Sequence, residues 1–126
     1  MTATPTPVDD VPAQDRAALD RLTRFGGAKL LNEMISLFLA AAPERIAVAR
    51  AASASGNASG AELALHSLKS SCAQLGAMRM QRLSEEGELS ARRGSLDGLA
   101  RITEELEHEL GRVRHWLTSV RDGGVA

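Results

Sequence analysis

The sequence predicts an all-α protein, an antiparallel up-down four-helix bundle with a short extra N-terminal helix. Ala and Leu account for 21 and 17 of the 126 residues, and both residue types favour helices. Aromatic residues make up only 2% of the chain, whereas strands are rich in aromatic and β-branched residues. The apolar residues recur at helical spacing in segments that are separated by Gly, Ser and Asn.

The length and charge of the chain restrict its function. A chain of 126 residues makes one domain. Its 15 basic and 16 acidic residues leave a formal net charge of -1, which argues against a nucleic-acid partner because phosphate binding needs a basic excess. The single Cys excludes an intrachain disulfide and a cysteine-based zinc site. We expect no metal and no cofactor held by the chain itself.

The first two helical segments are predicted at residues 15–25 and 29–54. Gly26 and Gly27 separate them, because glycine accepts the left-handed backbone of a helix end at little cost. The second segment contains Pro43, which is expected to kink the helix or divide it in two. The short first segment is expected to cap one end of the bundle.

The third helix follows a turn at residues 53–60 that is rich in Ser, Gly and Asn. Ser59 and Glu62 have the spacing of a capping box and predict the helix start. Gly76 is expected to close this helix.

The last two helices are predicted at residues 77–93 and 96–120. Gly94 ends the first of them, and Ser95 is the expected N-cap of the second. Short connections make sequential helices antiparallel neighbours, which gives the bundle. Gly87 either weakens its helix or lets two helices approach closely.

The domain boundaries follow from composition. Residues 1–12 contain three prolines and no basic or apolar signal-peptide pattern, and are predicted to be a disordered lead-in or linker. Residues 13–121 form the bundle, and 122–126 are expected to fray. The longest apolar run, 34–43, is shorter than a membrane span of roughly 20 residues, so we expect a cytoplasmic protein without membrane insertion.

His66 lies on the polar side of the third helix. At about 100° per residue, its direction is more than a third of a turn from the apolar face formed by Leu65, Leu68 and Cys72. Lys69 lies one turn further on. A neutral imidazole is a nucleophile, and an exposed one beside a cation suits covalent work on phosphate. The alternative is an ordinary solvated histidine.

The run LHSLKSSCAQLGA at residues 65–77 resembles the signature of the histidine-containing phosphotransfer (HPt) domain, roughly A-H-x-L-K-[GS]-[SA]-x-x-x-L-G-A. Residues 25–27 (FGG) and 42–45 (APER) resemble the second helix of the same family. Two positions depart from the pattern. Leu65 stands where Ala is common, and Gly87 where a core Leu is usual.

The resemblance implies roles for individual residues. His66 is the expected phosphoacceptor through Nε2, Lys69 neutralises the phosphoryl oxygens, and Ser70 is the small residue beside the ring. A partner-docking surface around His66 is expected to include the residues Glu62, Leu63, Ala73 and Arg79.

The resemblance also implies the function, a phosphorelay carrier that accepts a phosphoryl group from one receiver-domain aspartate and passes it to another. Expected partners are response-regulator receiver domains, which supply Mg²⁺, and a hybrid histidine kinase. The chain shows no glycine-rich nucleotide site, so it is expected to be a carrier and not an enzyme. We also expect it to be a monomer. Two alternatives remain open: a phosphate-independent helical adaptor that binds a receiver or kinase, and a homodimeric kinase fragment.

Other polar residues are expected to have no chemical role. Glu85, Glu86 and Glu88 are predicted to form a solvated acidic face, with no carboxylate paired with His66. His108 and His115 are one heptad apart and are expected to be solvated.

Overall fold

The computed structural model describes residues 13–123, and within them it contains four helices and no strand. These are α1 (Arg16–Ala54), α2 (Ala58–Leu75), α3 (Met78–Arg92) and α4 (Leu99–Gly123). Each helix packs against its neighbours in sequence, and α4 returns to pack against α1. The predicted four-helix bundle is confirmed. The predicted lead-in at 1–12 lies outside the described residues, as do residues 124–126 of the predicted tail.

One apolar core runs along the bundle. The stripe predicted on the last helix is buried in α4 at Leu99, Ile102, Leu106, Leu110, Val113, Leu117 and Val120. It faces Ile35 and Ile46 of α1 and the leucines of α2 in one cluster. Removing this apolar surface from water is the main force that holds the helices together.

Helix α1 is interrupted at Gly27, where φ is 74° and ψ is -174°. The predicted break at the glycine pair is therefore confirmed. Pro43 lies inside the helix with helical dihedral angles on both sides, so it does not divide the helix. The part before Gly27 buries Ala18 and Leu19.

A short backbone clamp holds the N-terminal segment to the turn between α2 and α3. The Asp15 amide donates to the Gly76 carbonyl over 2.8 Å, and the Met78 amide donates to the Ala13 carbonyl over 3.1 Å. Gly76 itself has φ 73° and ends α2 in the left-handed conformation. The short N-terminal helix thus caps this end of the bundle, as predicted.

Two predicted helix starts are wrong. Helix α2 begins after Asn57, whose side chain accepts a hydrogen bond from the Gly60 amide over 3.0 Å. Asn is as good an N-cap as Ser, and it precedes Ser59, which therefore lies inside the first turn. Helix α4 begins at Leu99 and not after Ser95, because a turn intervenes at residues 97–98.

Gly87 lies where α2, α3 and α4 come together. A Cβ built on it would lie 2.8 Å from Leu65 Cδ1 and 3.3 Å from Ile102 Cγ2. Both distances are shorter than ordinary van der Waals contact. Of the two alternatives for this residue, the structure shows the close approach of helices.

Helix α1 is long and apolar enough to cross a membrane by length and composition, although the apolar runs of the sequence predicted no such segment. The same helix is interrupted at Gly27 and contributes nine buried residues to the bundle. A core helix of a globular protein passes the same test, so α1 does not indicate membrane insertion.

Candidate functional site

Helix α2 directs His66 away from the core. Its neighbours Leu65, Leu68 and Cys72 have no exposed surface, whereas the His66 side chain is 57% exposed. The predicted orientation of the imidazole is therefore confirmed.

Helix α3 places a carboxylate against this imidazole. Glu88 Oε2 lies 2.6 Å from His66 Nδ1, and Glu88 Oε1 lies 2.7 Å from Lys69 Nζ. The Glu88 side chain is only 2% exposed. Helices α2 and α3 are joined by the two residues Gly76 and Ala77, and so tight a connection brings residues 66 and 88 to the same level of the bundle.

This contact corrects two expectations. Glu88 is buried and does not belong to a solvated acidic face, and a carboxylate is paired with His66. Glu86 is exposed, as expected, and Glu85 is half-buried beside Arg82.

A sequence signal for the contact was present. The buried residues of α3 are Met80, Leu83, Ser84, Gly87, Glu88 and Ala91, so Glu88 is in phase with the apolar stripe. A carboxylate in that phase is a candidate for a buried, paired charge.

A third basic side chain completes the surroundings of Glu88. Arg92 Nη2 lies 2.9 Å from Glu88 Oε2, and Arg92 Nε donates to Glu62 Oε2 over 2.9 Å. Burial alone would raise the pKa of the Glu88 carboxyl. The contacts with Lys69 and His66 outweigh burial and hold that pKa below its usual value. Glu88 is therefore a carboxylate at neutral pH.

Two further residues of the predicted site surround the ring. Lys69 is one turn from His66, and its ammonium group is engaged by Glu88. The hydroxyl of Ser70 donates to the His66 carbonyl over 3.3 Å. Ser70 is exposed, so it leaves the approach to the imidazole open.

The four predicted docking residues have different surroundings. Leu63 is 71% exposed, and Ala73 is also exposed on α2. The carboxylate of Glu62 is paired with Arg92, which was not expected. Arg79 lies half-buried at the start of α3, where its side chain is engaged in an interaction.

An open groove runs between α1 and α2, and Ser67, the residue after His66 in the chain, is part of its lining. Its volume is about 530 Å³, and Val48 and Leu63 are the exposed apolar residues on its wall. The other lining residues are Ala41, Glu44, Arg45, Gly60, Ala64 and Ser67. The groove joins an apolar surface to the helix that carries the imidazole.

Within residues 13–123 the structure shows neither a metal-binding site nor an exposed cysteine. That part of the chain contains no group of three His, Cys, Asp or Glu residues able to hold a metal ion. Cys72 is buried, and burial raises the pKa of its thiol.

A four-helix bundle that presents an exposed histidine beside a lysine on one helix has the architecture of a phosphocarrier module. The family model of the Hpt domain matches residues 33–116. The chain belongs to the Hpt domain family, whose members are phosphocarrier modules of phosphorelays and not kinases.

A solved structure supports the same assignment. The crystal structure of histidine-containing phosphotransfer protein B (HptB) from Pseudomonas aeruginosa PAO1 is similar, with a TM-score of 0.83 and 27% sequence identity. The match covers 87% of this chain and 95% of that one. A comparison with curated proteins found no match.

Proposed function

We propose that His66 is the phosphoacceptor of this carrier, and that it takes a phosphoryl group from the aspartate of one receiver domain and passes it to another. The observation that carries the proposal is the geometry of the ring. Nδ1 is occupied by Glu88, while the side chain is 57% exposed. The nitrogen left for a partner is Nε2.

The transfer needs little chemistry from the carrier. The lone pair of Nε2 attacks phosphorus and forms the N–P bond, while the P–O bond to the donor aspartate breaks and its electron pair stays on that carboxylate. Positioning and charge stabilisation do most of the work in such a reaction. The receiver supplies Mg²⁺ and its own carboxylates. The carrier works as a cytoplasmic monomer between receiver domains and a hybrid histidine kinase.

Lys69 and Ser70 assist at the ring. Lys69 is one helical turn from His66, and its flexible stem allows its ammonium group to reach phosphoryl oxygens. Ser70 is small and exposed, which allows the loops of a receiver to close over the imidazole.

Replacing His66 by Gln is expected to abolish phosphoryl acceptance. Gln is polar and of similar size, but its amide is not a nucleophile. The measurement is the intact mass after treatment with phosphoramidate, followed by mild acid. Wild-type protein should gain one acid-labile phosphoryl group and the His66→Gln variant none.

The matched control is His108→Gln, which removes an exposed histidine from α4. This variant should be labelled like wild type. A label that survives His66→Gln, or no label on wild type, contradicts the carrier and favours the phosphate-independent adaptor. Binding of a receiver domain that survives His66→Gln, with transfer lost, supports the carrier.

Leu63→Asp is expected to weaken docking of a receiver domain. Leu63 is exposed on the groove wall one turn before His66, and a charge there opposes burial of the groove against a partner. We expect affinity for a receiver to fall about 10-fold or more, measured by titration calorimetry.

Two control experiments test whether the loss of affinity comes from the groove. Phosphoramidate labelling of the Leu63→Asp variant should be unchanged, because the small donor needs no docking surface. Phe25→Asp changes another exposed apolar residue, far along the chain from the groove, and should leave affinity unchanged. Equal losses in the two variants would contradict docking at the groove.

A further inference from the structure

Phe25 is the most exposed of the large apolar side chains in residues 13–123, with 89% of its surface open to solvent. It stands at the end of the first part of α1, directly before the break at Gly26 and Gly27. A single exposed apolar residue on a protein surface is ordinary. Phe25 differs because of the charged side chains next to it.

Three basic side chains flank Phe25. Arg24 precedes it, Arg21 lies one helical turn before it, and Lys29 follows the break. All three are exposed, and none of them forms an ion pair with another of residues 13–123. Their charges are therefore available to an external anion. We call the surface of these four residues the basic end.

The carboxylates near Phe25 do not neutralise the basic end. Asp20 lies 4.0 Å from Arg16, so it is already engaged by a fourth basic residue. Glu33 is exposed one turn after Lys29 and makes no ion pair within the described residues. Residues 16–33 carry four basic and two acidic side chains, a local net charge of +2 in a chain of net charge -1.

The opposite end of the bundle is acidic. Residues 97–107, around the start of α4, carry four acidic side chains and one basic one. Glu107 pairs there with Arg50, near the end of α1, while the other end of α4 brings Arg121 to Ser36 of α1. The length of α1 after its break separates the two ends by roughly 35 Å. The molecule is thus electrically polar along its length.

This combination fits one kind of partner, a membrane surface that contains anionic lipids. Headgroup phosphates attract clustered basic residues, and an exposed ring enters the boundary between headgroups and acyl chains. A membrane needs no preformed pocket for the ring, whereas a folded acidic partner does. The field of such a surface also turns the acidic end away from it, so the charges of both ends favour one orientation.

We propose that the basic end binds the surface of an anionic membrane, with the Phe25 ring between lipid headgroups and Arg21, Arg24 and Lys29 against their phosphates. The contact is peripheral and reversible, since one ring and three charges are a weaker anchor than two lipid chains. No helix crosses the bilayer in this arrangement, because the buried face of α1 stays in the core.

Membrane contact at the basic end leaves the phosphoacceptor helix accessible. The first part of α1 lies at the end of the bundle that contains the turn between α2 and α3, where the Asp15 amide is bonded to the Gly76 carbonyl. His66 precedes Gly76 by ten residues on α2, which places it roughly 15 Å from that turn. A receiver domain can therefore approach His66 from the side of the bundle. The inference goes beyond the proposed function and does not depend on it.

The first test is sedimentation of the full chain with vesicles. Vesicles of phosphatidylglycerol and phosphatidylcholine in equal parts present the anionic surface, and vesicles of phosphatidylcholine alone are the neutral control. We expect binding to the anionic vesicles at low salt, loss of that binding at about 0.5 M salt, where charges are screened, and no binding to the neutral vesicles. Absence of binding to the anionic vesicles at low salt, or equal binding to both kinds, overturns the proposal.

Two variants locate the contact. Phe25→Asp removes the ring and adds a negative charge, and Arg24→Glu reverses one of the flanking charges. Each is expected to lower the partition coefficient onto anionic vesicles about 10-fold or more. Both side chains are exposed, so the melting temperature of either variant should stay close to that of wild type.

Each variant has a matched control. Leu63→Asp makes the same kind of change at another exposed apolar residue, and Arg93→Glu makes the same charge reversal at an exposed arginine at the end of α3. Both controls should lower vesicle binding by no more than about twofold, because charges far from the membrane are screened. Equal losses for Arg24→Glu and Arg93→Glu would show that net charge alone drives binding, which overturns the role of the basic end.

The labelling and receiver measurements separate this proposal from the carrier function. If His66 is labelled by phosphoramidate and anionic vesicles do not bind, the membrane contact fails and the carrier function stands. If the vesicles bind and His66 is never labelled, the carrier function fails and the membrane contact stands. If Phe25→Asp lowers the affinity for a receiver domain but not for vesicles, the basic end is a protein-docking surface and the membrane proposal is overturned.

Discussion

Replacing Gly76 by Ala is expected to lower the free energy of unfolding by about 3 kcal/mol. Two costs combine at this position. Gly76 has φ 73°, where a side chain is strained. A Cβ there would also overlap the backbone carbonyl of Asp15, in the segment that is clamped to the turn. Backbone cannot move aside as the end of a flexible side chain can.

Urea denaturation measures this loss, and Gly94→Ala is its matched control. Gly94 has φ 76°, and a Cβ on it would meet nothing within 4 Å. The control therefore carries the conformational strain alone, about 1 kcal/mol. Equal losses in the two variants would show that the clamp between Asp15 and Gly76 does not constrain the turn.

Gly87→Leu is expected to cause the other large loss, about 3 kcal/mol, by overpacking the contact between helices. The first added carbon already lies too close to Leu65 and Ile102. The remaining carbons must displace core side chains or separate α3 from its neighbours. A Leu, which the resemblance to the family would lead one to expect at this position, is therefore expected not to fit among these three helices.

Gly111→Leu provides the comparison on an exposed helical surface. Gly111 lies inside α4, and a Cβ on it would meet nothing within 4 Å. Because Leu favours helix over Gly, this change should stabilise the protein by up to about 1 kcal/mol. Melting temperatures of the two variants should therefore move in opposite directions. A Gly87→Leu variant as stable as wild type would contradict the close packing.

The helix ends could be predicted from local sequence patterns, whereas two of the helix starts could not. Gly27, Gly76 and Gly94 were predicted as helix ends, and each has positive φ, because few other residues accept that conformation. Helix starts were harder. Asn57 and Ser59 are both good caps, and only the path of the chain out of α1 decides between them.

The amino-acid sequence by itself determined the all-helical class, the order of the helices and the exposure of His66. Each of these depends on the repeat of apolar residues along one helix, which the backbone geometry sets. The phosphotransfer motif is equally local, since residues 65–77 are continuous in the chain.

Only the tertiary structure decided the chemical setting of that histidine. Glu88 is 22 residues away from His66 in sequence and contacts it because α2 and α3 pack side by side. Whether a carboxylate is solvated or buried depends on the charges that surround it. Those charges come from Lys69 on α2 and Arg92 on α3, and no pattern along a single helix brings the three side chains together.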